Sequence, residues 1–337
     1  MVIVLPDLSI KGSTLKTSYT NEIETNAIFL GVDDSILKMN PLIASLGFEF
    51  VFYSASDLEK GFSKLFNLPE NFKATGSLRF EKIGGTVSQE FYDNFNAQPY
   101  IPFGAKGLFI LRKTTTHQQE IKDGSLVQLD MTSLNHTQDF ADDLIRRLRL
   151  FKNGDISVPI IFEINIASRH VGARTSQITY LNRPITTYSI NDDDINNLKT
   201  HLLEPYIPNL LTELAETYFH ESYLLNNSRE KVVNLVTALE ALFNRGPSQI
   251  SHIIARHLSL IISSDKEELL NNYSKIKKLY NLRSKIVHGQ ASKPSEDMKK
   301  SVLELQELVR KAILYCLRSG KDKEQLFDYL NCKGFEK

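Results

Sequence analysis

Cysteine is scarce in this chain: Cys316 and Cys332 are the only two among 337 residues. Two cysteines cannot frame a disulfide-stapled fold, and Cys316 falls on an apolar helical stripe, so both read as reduced thiols. Long apolar runs are missing as well, and no stretch approaches the roughly 20 apolar residues that a membrane helix needs. The opening Met-Val-Ile-Val-Leu-Pro has neither the basic segment nor the apolar length of a secretory signal. These absences lead us to expect a cytoplasmic protein. There is no low-complexity tract and no internal repeat. The Gly84-Gly85 pair lacks a phosphate-loop pattern around it, and there is no Gly-x-Ser-x-Gly motif or papain-like cysteine setting. No cofactor is implied, and none is expected.

An excess of charge of either sign is also missing, since 40 Lys/Arg balance 40 Asp/Glu. That zero is a cancellation. Residues 229–318 hold 16 Lys/Arg against 9 Asp/Glu, an excess of seven positive charges that the rest of the chain offsets. A basic region on an acidic body permits a nucleic-acid partner without demanding one.

The length suggests two domains, each large enough for its own core. Residues 1–190 read as a mixed α+β domain with a regulatory or sensing role. Short β-rich runs recur at 27–31, 48–53, 77–82, 108–112, 126–131 and 157–166, punctuated by Gly, Pro and Asn. One helix is marked there by Phe140, Leu144, Leu148 and Phe151 at i, i+4 spacing, with Asp139 in its first turn and Gly154 as its stop. From about 191 the periodicity turns helical throughout. Asn191-Asp192-Asp193-Asp194 opens a helix that Pro205 and Pro208 break. Helices are then expected at 209–225, 229–244, 249–263, 266–288 and 295–318, with Ser248 and Ser295 as N-caps and Gly246-Pro247 and Gly289 as stops. The fold class is α+β: a mixed domain followed by an all-α bundle over 191–320, with 321–337 as a tail.

The 266–288 helix carries an anomaly. Its apolar stripe runs Leu269, Tyr273, Ile276, Leu279/Tyr280, then position 283, then Ile286/Val287, and position 283 is arginine. A guanidinium on such a face is costly unless it is paired or faces a solvent-filled cleft. The 229–244 helix, with stripe Val232/Val233, Val236, Leu239 and Phe243, offers Glu240 at its edge. Arg256 is a third charge at a core margin. Spacing alone is also met by a structural Glu–Arg pair that only fixes helix register. His252 and His257, five apart with no third ligand evident, do not make a metal site. Arg169-His170 with Arg174 follows a strand-like run and reads as a solvated loop.

The same helix ends Arg283-Ser284-Lys285-Ile286-Val287-His288-Gly289. Arg and His suit metal-free RNA cleavage. The ribose 2′-OH attacks the adjacent phosphate when a base takes its proton and an acid protonates the 5′-oxygen, while an Arg fork neutralises the developing phosphorane. At a helix C-terminus the dipole favours imidazolium, so His288 can serve as an acid near neutral pH. The spacing itself is weak evidence, because Arg112-Lys-Thr-Thr-Thr-His117 repeats it within a β-rich, Thr-rich stretch. Residues five apart also lie about 140° around an ideal helix, so Arg283 and His288 converge only if the last turn unwinds or a second chain completes the site.

Ala238-Leu239-Glu240-Ala241-Leu242-Phe243, the run from Ile250 to Arg256, and Leu279-Tyr280-Asn281-Leu282-Arg283-Ser284-Lys285-Ile286-Val287-His288-Gly289 together resemble the HEPN superfamily, over residues 225–318. More narrowly they resemble the ApeA-like HEPN domains linked to bacterial anti-phage defence. The resemblance implies a dimerising helical bundle in which the Arg-x4–6-His motifs of two protomers meet in one cleft. It also implies metal-independent endoribonuclease activity on RNA. Carried over, Arg283 and His288 are the catalytic pair and Glu240 is the acidic position of the second helix. Ser284, Lys285 and Arg256, beside them in sequence or charge, are expected to support the site. Two positions depart from the pattern. Ser284 follows the motif Arg where active members often carry Asn, Asp or His, and this favours the alternative of a non-catalytic module that binds RNA or a protein. Gln290 stands where some HEPN toxins carry a Tyr modified by a partner nucleotidyltransferase, so that mode of control is not expected.

Overall fold

A computed structural model describes residues 17–54, 57, 107–121, 132–165, 170–174, 186–204, 209–225, 227–246, 248–290 and 296–336. The strand runs read at 77–82 and 126–131, the cap at Ser295 and the breaks at Pro205, Pro208 and Pro247 lie outside these residues. The chain is α+β. Strands β1 (Thr17–Leu30), β2 (Phe48–Ser54), β3 (Gly107–Ile121), β4 (Ser157–Asn165) and β5 (His170–Arg174) form one sheet in the order β2-β3-β1-β4-β5. The pairs β1–β3, β2–β3 and β4–β5 are antiparallel. Burial explains the pattern of β2 and of the end of β1. β2 alternates at its start, with Phe48 and Phe50 buried and Glu49 exposed between them, as a half-buried strand should. β1 lies inside the sheet, and Ala27, Ile28, Phe29 and Leu30 are all buried. Phe50 meets Phe29 edge-on at 4.9 Å. Phe48 stacks on Phe140 at 4.0 Å.

A one-turn helix α1 (Asn40–Ile43) precedes β2, and helix α2 (Thr132–Phe151) follows β3. Leu144 and Leu148 of its stripe are buried, but the helix begins seven residues before Asp139, which is therefore not in its first turn. β5 forms where sequence suggested a solvated loop, and the side chains of His170 and Arg174 lie outside the described set, as does Arg169.

The chain divides into two compact units. One spans Met1–Phe29, Leu37–Asp142 and Val158–Gln177; the other spans Leu30–Ile36, Asp143–Ser157 and Ile178–Lys337. The helical unit thus takes in two short segments of the region read above as the N-terminal domain, and also its last residues, 178–190. Its helices are α3 (Asp192–Leu203), α4 (Glu213–Leu224), α5 (Ser228–Phe243), α6 (Ile250–Ile262), α7 (Lys266–Val287), α8 (Glu296–Ser319) and α9 (Lys323–Glu336).

Local chemistry sets most of these boundaries. Asn191 and Asp194 form a reciprocal capping box at α3. Asp265 caps α7 by accepting the Glu268 N–H at 2.8 Å. The cap of α6 is Gln249, in a left-handed conformation with φ 56°, and not Ser248 as the sequence suggested. Helix α5 sits at the centre and packs against α4, α6, α7, α8 and α9. It therefore buries Leu235, Ala238 and Leu242 beyond its expected stripe. On α8, Val302, Leu305, Leu308, Val309, Ala312, Ile313 and Cys316 face the core as their spacing requires. Residues 321–337 are not a tail, because α9 buries Leu326, Phe327 and Leu330. Among the described residues, no helix is long and apolar enough to cross a membrane.

Candidate functional site

Helix α7 is an outer helix, and of its 22 residues only Ile276 and Leu279 are fully buried. Its packing against α5 brings Tyr280 and Arg283, three residues apart on one side of the helix, to the single carboxylate of Glu240. The Tyr280 hydroxyl donates to Glu240 Oε1 at 2.9 Å. Burial, together with that hydrogen bond to the carboxylate, pushes the Tyr280 phenol up to about 12, so it remains a donor at neutral pH.

The other carboxylate oxygen, Oε2, lies 3.6 Å from Arg283 Nη2. That separation makes an ion pair but not a hydrogen bond. The side chains are 27% exposed at Arg283 and 18% at Glu240, so the pair stands at the margin of the core rather than within it. Arg283 Nε is shielded from solvent and has no hydrogen-bond partner among the described residues. The guanidinium is held in place by charge while its donors stay unengaged among the described residues.

His288 is the C-cap residue of α7 and is exposed. The helix closes without unwinding. The His288 N–H donates to Ser284 O at 3.0 Å, Gly289 N–H to Ile286 O at 3.1 Å and Gln290 N–H to Lys285 O at 2.8 Å. This is a Schellman closure, with Gly289 at φ +70° as its left-handed residue. Regular geometry to the end leaves the imidazole about 140° around the helix from Arg283. Among the described residues no hydrogen bond or ion pair joins the two side chains, so one chain does not bring them together. Ser284 is half-buried and Lys285 is exposed. Val287, expected on the apolar stripe, is 52% exposed, because the stripe drifts off the core in the last turn.

Arg256 does not belong to this group. It donates to Asn331 Oδ1 at 2.8 Å and to the Asn331 carbonyl at 3.4 Å, both on α9. Gly334 makes room for it, since a Cβ there would collide with the guanidinium. The sequence counted Arg256 among the supporting residues because α9, where its partner lies, was not expected. His252 and His257 point to different partners. His252 Nδ1 lies 2.8 Å from the Tyr273 hydroxyl on α7, and His257 Nε2 lies 3.4 Å from Asn331 Oδ1 on α9. Burial holds the His257 imidazole down at about 4. The second Arg-x4-His copy is on β3, where Arg112 bonds Glu49 across the strand pair at 2.6 Å. Sequence reasoning missed Tyr280 as a site residue. Its place in the apolar stripe concealed a hydroxyl that reaches Glu240.

No family model, curated protein or solved structure matches the chain.

Proposed function

We propose that this protein is a metal-independent endoribonuclease of HEPN type, acting as a homodimer through its helical bundle. The observation that carries this reading is Arg283: its guanidinium is paired in charge with Glu240 yet makes no hydrogen bond among the described residues. A cation fixed in that way is ready to receive a phosphate, and a bidentate Arg–phosphate contact neutralises the phosphorane formed when the 2′-OH attacks. His288, exposed at the C-terminal end of the same helix, supplies proton transfer to the leaving 5′-oxygen or from the 2′-OH. Because the two side chains of one chain diverge, the complete set is Arg283 from one protomer and His288 from its partner. The resemblance described above links such domains to anti-phage defence, and we extend that role to this chain.

A second reading, a non-catalytic module that binds RNA or a protein, is favoured by Ser284 and by the salt bridge that engages Arg283. Incubation of the purified protein with total RNA in EDTA separates the two. The proposed function requires cleavage that leaves 2′,3′-cyclic phosphate ends. RNA that is retarded but intact would establish the second reading, and RNA left both free and intact overturns the nuclease.

A further inference from the structure

We infer that α7 carries, beyond the Arg283–His288 pair, a track for single-stranded RNA running from His288 back to Tyr273 and His252; the inference rests on the nuclease reading above. Tyr273, Lys277, Tyr280, Ser284 and His288 follow at i, i+4, i+7, i+11 and i+15. At about 100° per residue they fall within roughly 80° of one another, forming a single stripe about 22 Å long. The first four are half-buried and His288 is exposed, so the stripe borders the core without entering it.

Both tyrosines are braced. Tyr273 is tied to His252 at 2.8 Å and Tyr280 to Glu240 at 2.9 Å, and both rings pack on the core cluster. An anchored ring with an open part offers a base a stacking surface at little entropic cost. The Lys277 ammonium lies 5.6 Å from the centre of the Tyr273 ring. Lys277, Lys285 and Lys278 lie to one side of the tyrosine row, progressively further from the core. Arg283 and Glu240 lie on the other side. Rings on the inner edge and cations on the outer edge match a strand that turns its bases inward and its phosphates outward.

Charge chooses the occupant. Residues 269–290 contain five Lys/Arg and not one Asp or Glu, although 24% of the whole chain is charged. One of the five, Lys275, is answered by Glu304 of α8 at 3.3 Å. Lys277, Lys278 and Lys285 make no salt bridge among the described residues. A helix side with three uncompensated lysines and two braced tyrosines suits a polyanion carrying flat rings. An RNA duplex hides its base faces, so the tyrosines favour a single strand. The length accommodates roughly four nucleotides, near the lower end of single-strand sites.

The test uses the full-length protein and a fluorescent, 2′-O-methylated oligonucleotide of about 12 nucleotides, which lacks the nucleophile and cannot be cut. The wild type should bind it more tightly single-stranded than annealed to its complement. Tyr273→Leu should weaken binding by roughly 5- to 100-fold, while Tyr273→Phe, which keeps the ring, stays close to wild type. Lys277→Gln should lower the salt dependence of binding by about one phosphate contact, whereas Lys299→Gln on α8, which removes the same charge elsewhere, should not. Lys277 carries little of the fold, so its result stands even if Tyr273→Leu melts early. If the wild type cleaves RNA but Tyr273→Leu and Lys277→Gln bind like the wild type, the track is wrong and the nuclease survives. Equal or tighter binding of the duplex also overturns the track. A wild type that neither binds nor cleaves RNA overturns both.

Discussion

Glu240 serves two partners at once, a hydrogen bond from Tyr280 and the charge of Arg283. Its removal is therefore two losses. Glu240→Ala leaves a phenol without its acceptor and a guanidinium without its counter-charge at a site that is only partly screened by water. Were the pair fully buried, a loss of roughly 3–5 kcal/mol would follow; exposure of 18% and 27% for the two side chains brings the expected cost down to about 1–3 kcal/mol. Urea denaturation measures it, and a midpoint equal to that of the wild type would show that Glu240 holds nothing. His288→Ala acts differently. The side chain is exposed, so stability should be unchanged while cleavage falls by roughly 10²–10⁴-fold. A folded variant that cuts RNA at the wild-type rate in EDTA removes His288 from the chemistry. His257 gives a pH signature. Burial lowers its pKa to about 4 in the folded chain, against about 6.5 when unfolded. The unfolded state therefore takes up the proton first, and stability declines as pH falls from about 6.5 towards 4. His220 and His201 are lowered by burial too, so the wild-type curve sums several groups. The difference between wild type and His257→Gln isolates one of them. The wild type should lose about 2 kcal/mol more than the variant between pH 7 and pH 5, and parallel melting curves would contradict this assignment.

The end of α7 shows how a helix terminus can hold an exposed side chain in a fixed direction. The Schellman closure fixes the direction of the chain just where His288 leaves the helix. Gly289 adopts φ +70° with nothing within 4 Å of an added Cβ, so Gly289→Ala meets no clash and bears only the conformational cost of a left-handed residue. That cost is about 1 kcal/mol, to be read as a lower urea midpoint at unchanged slope. An unchanged midpoint would mean that the terminus frays in solution. The helices of the bundle were legible in the sequence because their signals are local: the Asn191 opening, the Gly289 stop and the α8 stripe all lie within a few residues of what they control. What the sequence did not show was set by distant packing. Arg256 goes to Asn331 on α9, which is 75 residues away. α9 itself was read as a tail because its apolar residues are few and interspersed with charge. The buried cations Arg149 and Lys231 gave no signal either. Arg149 is satisfied by the carbonyls of Ile156 and His220, and Lys231 is paired in charge with Asp155 at 3.9 Å, partners that no periodicity reveals. The candidate site was half legible: the Glu240–Arg283 pairing follows from two stripes, but Tyr280 and the outward turn of His288 depend on how far α7 strays from the core.

At the scale of the molecule, the divergence of Arg283 and His288 becomes a statement about assembly. One chain offers a single motif imidazole and points it about 140° from its own motif arginine. Cleavage requires a cation and a proton-transfer group at one phosphate, with water taking the other proton transfer. A two-fold axis beside the end of α7 answers this geometry, because self-complementary interfaces bring each group opposite its counterpart. The arrangement makes a quantitative prediction. In a mixture of Arg283→Ala and His288→Ala proteins, dissociated and allowed to reassociate, half of the dimers are mixed. If each site takes Arg283 from one protomer and His288 from the other, a mixed dimer has one site with both lesions and one with neither. Activity should then rise from almost nothing to about a quarter of the wild-type value. If both groups of a site came from the same chain, every site in the mixture would carry a lesion and no activity would return. Light scattering at the assay concentration provides the independent check. A monomer that cleaves RNA would mean that the site is completed within one chain, and the two-fold arrangement would be wrong.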